Sequence, residues 1–253
     1  MKQALLIFSF FPLIGYSQPY QYLGKFDRNG IPAYDSMSID KSDSMVIHEI
    51  YYALPEKRPV PREHPEYLAG SGITEIKITG PVTIWVTFIT ESADWKNTLG
   101  YYSYRIADKK VLTDKLKKTI IFPNLCREDG LKPGTKVKLG SFSAGTTIGW
   151  FLNAQGWNKK ITSGIHTLYS NPAYNPEKDS TLRNHIVFLQ HLSKTKFLLG
   201  FEDSLRDVDA DEDYNDVLFF ITVSDPDAID TSGIRMMPGR KPVQKELIQP
   251  VLK

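Results

Sequence analysis

The sequence predicts an all-β fold, an antiparallel β-sandwich of jelly-roll-like arrangement carrying an N-terminal helix-containing extension. Three observations lead there. From Ile73 onward the chain is a series of short β-branched and aromatic runs, among them Val82–Ile89, which alternates two faces. Similar runs occupy Gly100–Ile106, Lys118–Phe122, Lys136–Leu139, Thr146–Asn153, His185–Leu192, Lys196–Phe201 and Val217–Val223, punctuated by Gly, Pro and Asn with no helical pattern between them. Finally, 253 residues with 41% hydrophobic and 24% charged side chains suffice for one large β domain and exclude a disordered, coiled-coil or collagen-like chain.

In order along the chain, residues 1–17 read as a signal peptide. Lys2 precedes an apolar stretch from Ala4 to Ile14, and Gly15-Tyr16-Ser17 forms a small-x-small cleavage site, so export to the periplasm, cell surface or medium is expected. No other stretch approaches the roughly 18 apolar residues of a membrane span. Residues 18–72 form the extension. Within it Val46, Ile47, Ile50, Tyr51 and Leu54 make one helical stripe, with Ser42, Asp43 and Ser44 as caps and Pro55 as the stop. The alternating prolines of Arg58–Pro65 predict an extended connector after that helix. Residues 73–223 are the sandwich, and 224–253 read as a coil laid on the surface or left mobile.

The densest chemical signal lies between Glu202 and Asp216. Eight carboxylates against Arg206 alone give a local charge of −7, which leaves +9 on the rest of a chain whose total is +2. Apolar strand runs flank the segment, so its ends are tied to a rigid base. Two carboxylates about 6 Å apart repel by about 3 kcal/mol at an effective dielectric of 20, a strain that a divalent cation removes. Asp207, Asp209, Asp211, Asp213 and Asn215 recur at a spacing of two, as oxygen ligands do in calcium loops, and the set holds no His or Cys. Calcium (Ca2+) is therefore the expected ion, with Glu202, Asp203, Asp209, Asp211, Asp213, Asn215 and Asp216 as ligands and Glu91 and Asp207 as further candidates. The EF-hand pattern fails, because Glu212 or Tyr214 stands where its turn glycine belongs. A hydrated acidic loop that binds nothing is the alternative.

Gly200-Phe201-Glu202-Asp203, followed by Asp211-x-Asp213-Tyr214-Asn215-Asp216 and an apolar strand, resembles the GFED...DxD[YF]ND signature of a domain-of-unknown-function family in exported and surface bacterial proteins. Val86-Thr87-Phe88, Asn97 to Tyr102, Leu131-Lys132-Pro133-Gly134 and Gly145 to Leu152 extend the likeness over roughly Ile73 to Val223. The resemblance implies an all-β exported domain with a calcium site at Glu202, Asp203, Asp211, Asp213, Asn215 and Asp216, often joined to other surface modules, and it implies no known reaction. Asp207 and Asp209 are additions relative to that signature, and Arg206 to Ala210 replace its Gly-rich lead.

Elsewhere the chemistry is sparse. Cys126 is the only cysteine, so no internal disulfide forms, and its sequence neighbours predict a small buried hydrophobe. His48, His64, His166, His185 and His191 show no zinc-type spacing, and no nucleophile elbow or phosphate loop is present. The near-neutral charge and the lack of a recognisable module argue against nucleic acid as a partner. Trp95 and Trp157, beside Lys96 and Asn158-Lys159-Lys160, are candidate exposed stacking residues, whereas Trp150 reads as core. The expected function is an exported calcium-binding module with a binding or surface-structural role and no catalysis. A calcium-dependent carbohydrate-binding module is the alternative, with a cell-surface glycan or another surface protein as partner. A carboxylate-dependent glycan hydrolase fits less well, since a solvated run of eight carboxylates does not set two pKa values apart.

Overall fold

The computed structural model describes residues 20–34, 36–41, 46–68, 74–93, 95–108 and 112–239; the expected signal peptide, the expected helix caps at 42–44 and the tail beyond 239 lie outside them. Among the described residues the extension holds two short strands, β1 (Gln21–Tyr22) and β2 (Ser38–Ile39), and the short helices α1 (Ile47–Ala53), α2 (Val60–Glu63) and α3 (Pro65–Leu68). Strands β3 (Ile76–Lys77), β4 (Val82–Glu91), β5 (Thr98–Arg105), β6 (Lys117–Phe122) and β7 (Thr135–Phe142) follow. The chain continues through β8 (Thr146–Ala154), β9 (His166–Tyr169), β10 (Ile186–Gln190), β11 (Lys196–Phe201), β12 (Val217–Val223) and β13 (Arg235–Met236).

The strands form two sheets. One has the order β1-β6-β5-β8-β3, with β9 also on β8; the other has the order β13-β10-β11-β12-β4-β7-β2. Both are mixed rather than purely antiparallel, because β1 joins β6 and β13 joins β10 in parallel. The extension thus adds a strand to the first sheet, and the tail, expected as coil, contributes Arg235–Met236 as an edge strand of the second and buries Ala228, Ile229 and Met237.

The sheets face each other across a core drawn from both. Val86 and Phe88 of β4, Phe122 of β6, Trp150 of β8 and Phe219 of β12 are fully buried in it, and the Phe122 and Phe219 rings stack between the sheets with centroids 6.1 Å apart. The second sheet is buried on its outer face too. There Ile50, Ala53, Leu54 and Val60 of the helical extension cover Ile89, Leu198, Leu218 and Phe220. Burial on both faces explains why β10, β11 and β12 read as near-continuous apolar runs instead of alternating.

The α1 stripe follows the predicted period and turns Ile50 inward. The expected extended connector at 58–65 is instead α2 and α3. Pro61 lies in the first turn of α2 and Pro65 opens α3, positions where the missing N–H is unpaired in any helix and the fixed φ suits the turn. The connections β4–β5, β6–β7 and β11–β12 all emerge at one end of the sandwich, where Val217 pairs with Glu91 and with Phe201. Truncating Leu54→Ala, fully buried between helix and sheet, is expected to cost about 2–5 kcal/mol in chemical denaturation. A loss under about 1 kcal/mol would mean that the extension lies outside the cooperative unit.

Candidate metal centre

The acidic segment closes the β11–β12 hairpin, and its first turn folds back through the amides of Val208 and Asp209, both bonded to the Leu205 carbonyl. Glu212 and Tyr214, which stand where a turn glycine would be expected, take φ of 63° and 60°. Non-glycine residues adopt this region at a cost of about 1 kcal/mol or more, so each needs to be held. Arg206 holds Glu212, with Nε 2.8 Å and Nη2 2.6 Å from Oε1. Tyr214 is fully buried and its hydroxyl donates to the Asn184 carbonyl at 2.9 Å. Gly200 is required by the same turn, since a Cβ there would stand 2.3 Å from the Tyr214 carbonyl oxygen.

This path brings seven carboxylates, Glu56 of the extension among them, into one cleft of about 310 Å³. Glu202, Asp203 and Asp216 present oxygens that all lie within 4.8 Å of one another, and so do Glu56, Asp211 and Asp213. Asp209 also lines the cleft. Around the first trio the frame is tight. The Asp203 amide donates to Asp216 Oδ2 at 2.8 Å, and Asn97 Nδ2 donates to Asp203 Oδ2 at 2.6 Å. Asn97 is itself fixed by the Gln155 amide, and Ser92 Oγ donates to the Asn215 carbonyl at 3.0 Å. One oxygen is left over. Glu202 is 1% exposed and its Oε2 has no hydrogen-bond partner, which for a buried carboxylate is a cost that native structures avoid unless something else meets it.

The second trio is where the extension meets the loop. The Lys57 amide donates to Asp213 Oδ2 at 2.7 Å, the Val60 amide to the Glu212 carbonyl at 2.8 Å, and Asn215 Nδ2 to the Leu54 carbonyl at 3.4 Å. Beneath the cleft His185 and Glu177, both buried, pair side chain to side chain, and the His185 carbonyl accepts the Glu202 amide.

Electrostatics follow from this packing. Burial, and then the neighbouring Asp216, Asp211 and Asp203 charges, push the Glu202 carboxyl well above the carboxylate range. Asp216 is raised for the same reasons, burial first and then Asp203. Asp203 is raised by burial despite the opposing Asn97 bond, and Asp213 is pushed up to about 6, again by burial. An all-oxygen set held close and dehydrated suits a hard cation and offers nothing to a soft one.

Of the candidates read from sequence, Glu202, Asp203, Asp209, Asp211, Asp213, Asn215 and Asp216 all line the cleft. Asn215 does so as a buried residue, hydrogen-bonded to Ser92 and Leu54. Asp207 is exposed and lies outside the cleft, and Glu91 lines a neighbouring groove instead. The alternation at a spacing of two is broken by the turn at Leu205–Asp209, which leaves Asp207 out. Trp157 is not an exposed stacking residue. It is 5% exposed, edge-on to Phe26, because its amide bonds the Lys96 carbonyl and draws the ring under Gly30. Trp95 is half-buried on the wall of the cleft. Cys126 is half-exposed beside that wall rather than buried. Glu56 escaped notice in the sequence, where it stands alone before Lys57. Its one signal was its place just past the predicted helix stop.

The stretch 142–224 matches the model of a family described as a domain of unknown function, DUF4114. It takes in the whole acidic segment and strands β8 to β12, and covers about a third of the chain. The earlier likeness, drawn from about Ile73, thus reaches further toward the N-terminus than the matched residues do. No curated protein and no solved structure matches the chain.

Because the buried carboxyls bind protons more tightly folded than unfolded, stability falls as pH rises between the two values. For Asp213 that interval runs from about 4 to about 6, and Glu202 and Asp216 extend it upward. In chelator, the melting midpoint is expected to climb as the pH is lowered from about 8 to about 5.5. A midpoint that drops over this range contradicts the assigned burial of charge.

Proposed function

We propose that the chain is an exported β-sandwich module that binds calcium in the acidic cleft and serves in binding or surface structure. The observation that carries this reading is the buried, unpartnered Oε2 of Glu202 inside a cluster of three carboxylates. Left bare, such a cluster sets like charges against one another with little water to screen them, and a divalent ion replaces both the missing solvent and the missing counter-charge. Calcium is preferred to magnesium because it takes six to eight oxygens in an adaptable shell, and the cleft offers carboxylates from three chain segments. Magnesium favours sites that leave it several waters. Export is supported by the Lys2, Ala4–Ile14 and Gly15-Tyr16-Ser17 pattern, and among the described residues no helix is long and apolar enough to cross a membrane. An external calcium supply fits a site of modest affinity, and a chain with one cysteine gains from the ion a staple that it does not gain from a disulfide.

At calcium a hundredfold above its dissociation constant the ion adds about 2.7 kcal/mol, a rise of about 5 to 10 °C in the melting midpoint for a chain of this size. Glu202→Gln keeps the shape but removes both the buried titration and the charged ligand. The variant is expected to melt higher than the parent in chelator and to lose the calcium-induced rise. A Glu202→Gln protein that responds to calcium as the parent does would overturn the reading.

A further inference from the structure

A second depression, of about 860 Å³, adjoins the acidic cleft. Its walls come from residues 92–93 and 95–97 of the β4–β5 connection and from the β6–β7 connection (123–134), and Ser92, Ala93 and Trp95 line both spaces. The walls are built rather than draped. Lys96 Nζ meets Asp129 Oδ2 at 2.5 Å, Asn124 Nδ2 donates to the same oxygen at 2.8 Å, and the Leu125 amide donates to the Asn97 carbonyl at 3.0 Å. Arg127 Nη1 donates to Thr90 Oγ1 at 3.0 Å, anchoring the far wall to β4. Trp95 is braced edge-on by His166, ring centroids 6.0 Å apart, and is half-buried.

The lining alternates chemical character. Trp95 and Pro133 provide apolar surface, Arg127 and Lys132 donate, and Glu91 and Glu128 accept. With Lys96 already matched by Asp129, the groove's own charges are nearly balanced, and the acidic cleft next door disfavours a polyanion. A neutral sugar matches this lining: it presents an apolar C–H face together with a rim of hydroxyls that both donate and accept, and it carries no net charge. The volume lies within the range of pockets that enclose small-molecule ligands.

We propose that this groove binds a short neutral oligosaccharide, with one ring on Trp95, hydroxyls shared among Arg127, Lys132, Glu91 and Glu128, and the ring edge turned toward the cation next door. Calcium accepts sugar hydroxyls as further hard oxygen ligands, so binding is calcium-dependent; this dependence rests on the metal reading above.

The test uses the full chain with saturating calcium against an array of short neutral and uronate-bearing oligosaccharides, followed by calorimetry with the strongest neutral binder. Trp95→Ala, with its calcium saturation checked by a separate calcium titration, is expected to weaken that affinity at least tenfold. Lys132→Ala, at an exposed position, is expected to weaken it several-fold with an unaltered melting midpoint. An unchanged affinity in both variants, a preference for the uronate-bearing sugars, or retention of no neutral sugar by calcium-responsive protein would each overturn the proposal and leave the metal reading intact. Sugar binding of equal strength in calcium and in chelator would overturn its calcium dependence. Absence of any calcium response in the parent chain is the separate failure of the metal reading.

Discussion

The constraint on which this structure turns is the confinement of like charge at the closed end of the β11–β12 hairpin. Glu202 and Asp216 directly follow and precede residues paired in the sheet, so neither can swing out to water without disturbing Phe201 and Val217. The sandwich thus fixes the backbone that carries the charge, and the charge has to be met where it lies. Coulomb repulsion, dehydration and the orphan oxygen of Glu202 all act in the same direction. They give the cleft its affinity for positive charge, whether a proton held well above the usual carboxylate range or the proposed ion.

The rest of the fold reads as support for that end. The outer face of the second sheet is apolar because the helical extension covers it, and the same extension delivers Glu56 and the Lys57 amide to the loop. The left-handed turns at Glu212 and Tyr214 tighten the loop enough to face Asp211 and Asp213 toward Glu56, and Arg206 and the Asn184 carbonyl hold them there. On the other side Asn97 links Asp203 to Gln155 and, through the Leu125 amide, to the wall of the neighbouring groove. The acidic cleft and the groove therefore share a partition made of Ser92, Ala93 and Trp95.

Much of this was readable from the residues because the forces involved are local. Strand runs such as Val82–Ile89 carry their period in the chain, and the helical stripe of Val46 to Leu54 does likewise. The acidic segment stood out because its charge is contiguous. What was not readable depends on contacts far apart in sequence. Glu56 becomes a site residue only when α1 docks on β11 and β12. Trp157 and Trp95 have similar polar neighbours, and only the Trp157 amide bond to Lys96 sends one ring inward while the other lines the partition. Pro61 and Pro65 misled because proline is compatible both with an extended connector and with the first turn of a helix, and the apolar seat for Val60 decided between them. Short edge strands β1 and β13 have no period to read at two residues each.

The most direct test is diffraction from crystals grown in calcium, read through the anomalous signal of the ion. The account predicts a single strong peak bounded by the carboxylates of Glu202, Asp203 and Asp216, at about 2.3 to 2.6 Å from their oxygens, with Glu202 Oε2 among the ligands. A cleft holding only water in such crystals, with Glu202 Oε2 satisfied by a solvent hydrogen bond, would contradict it.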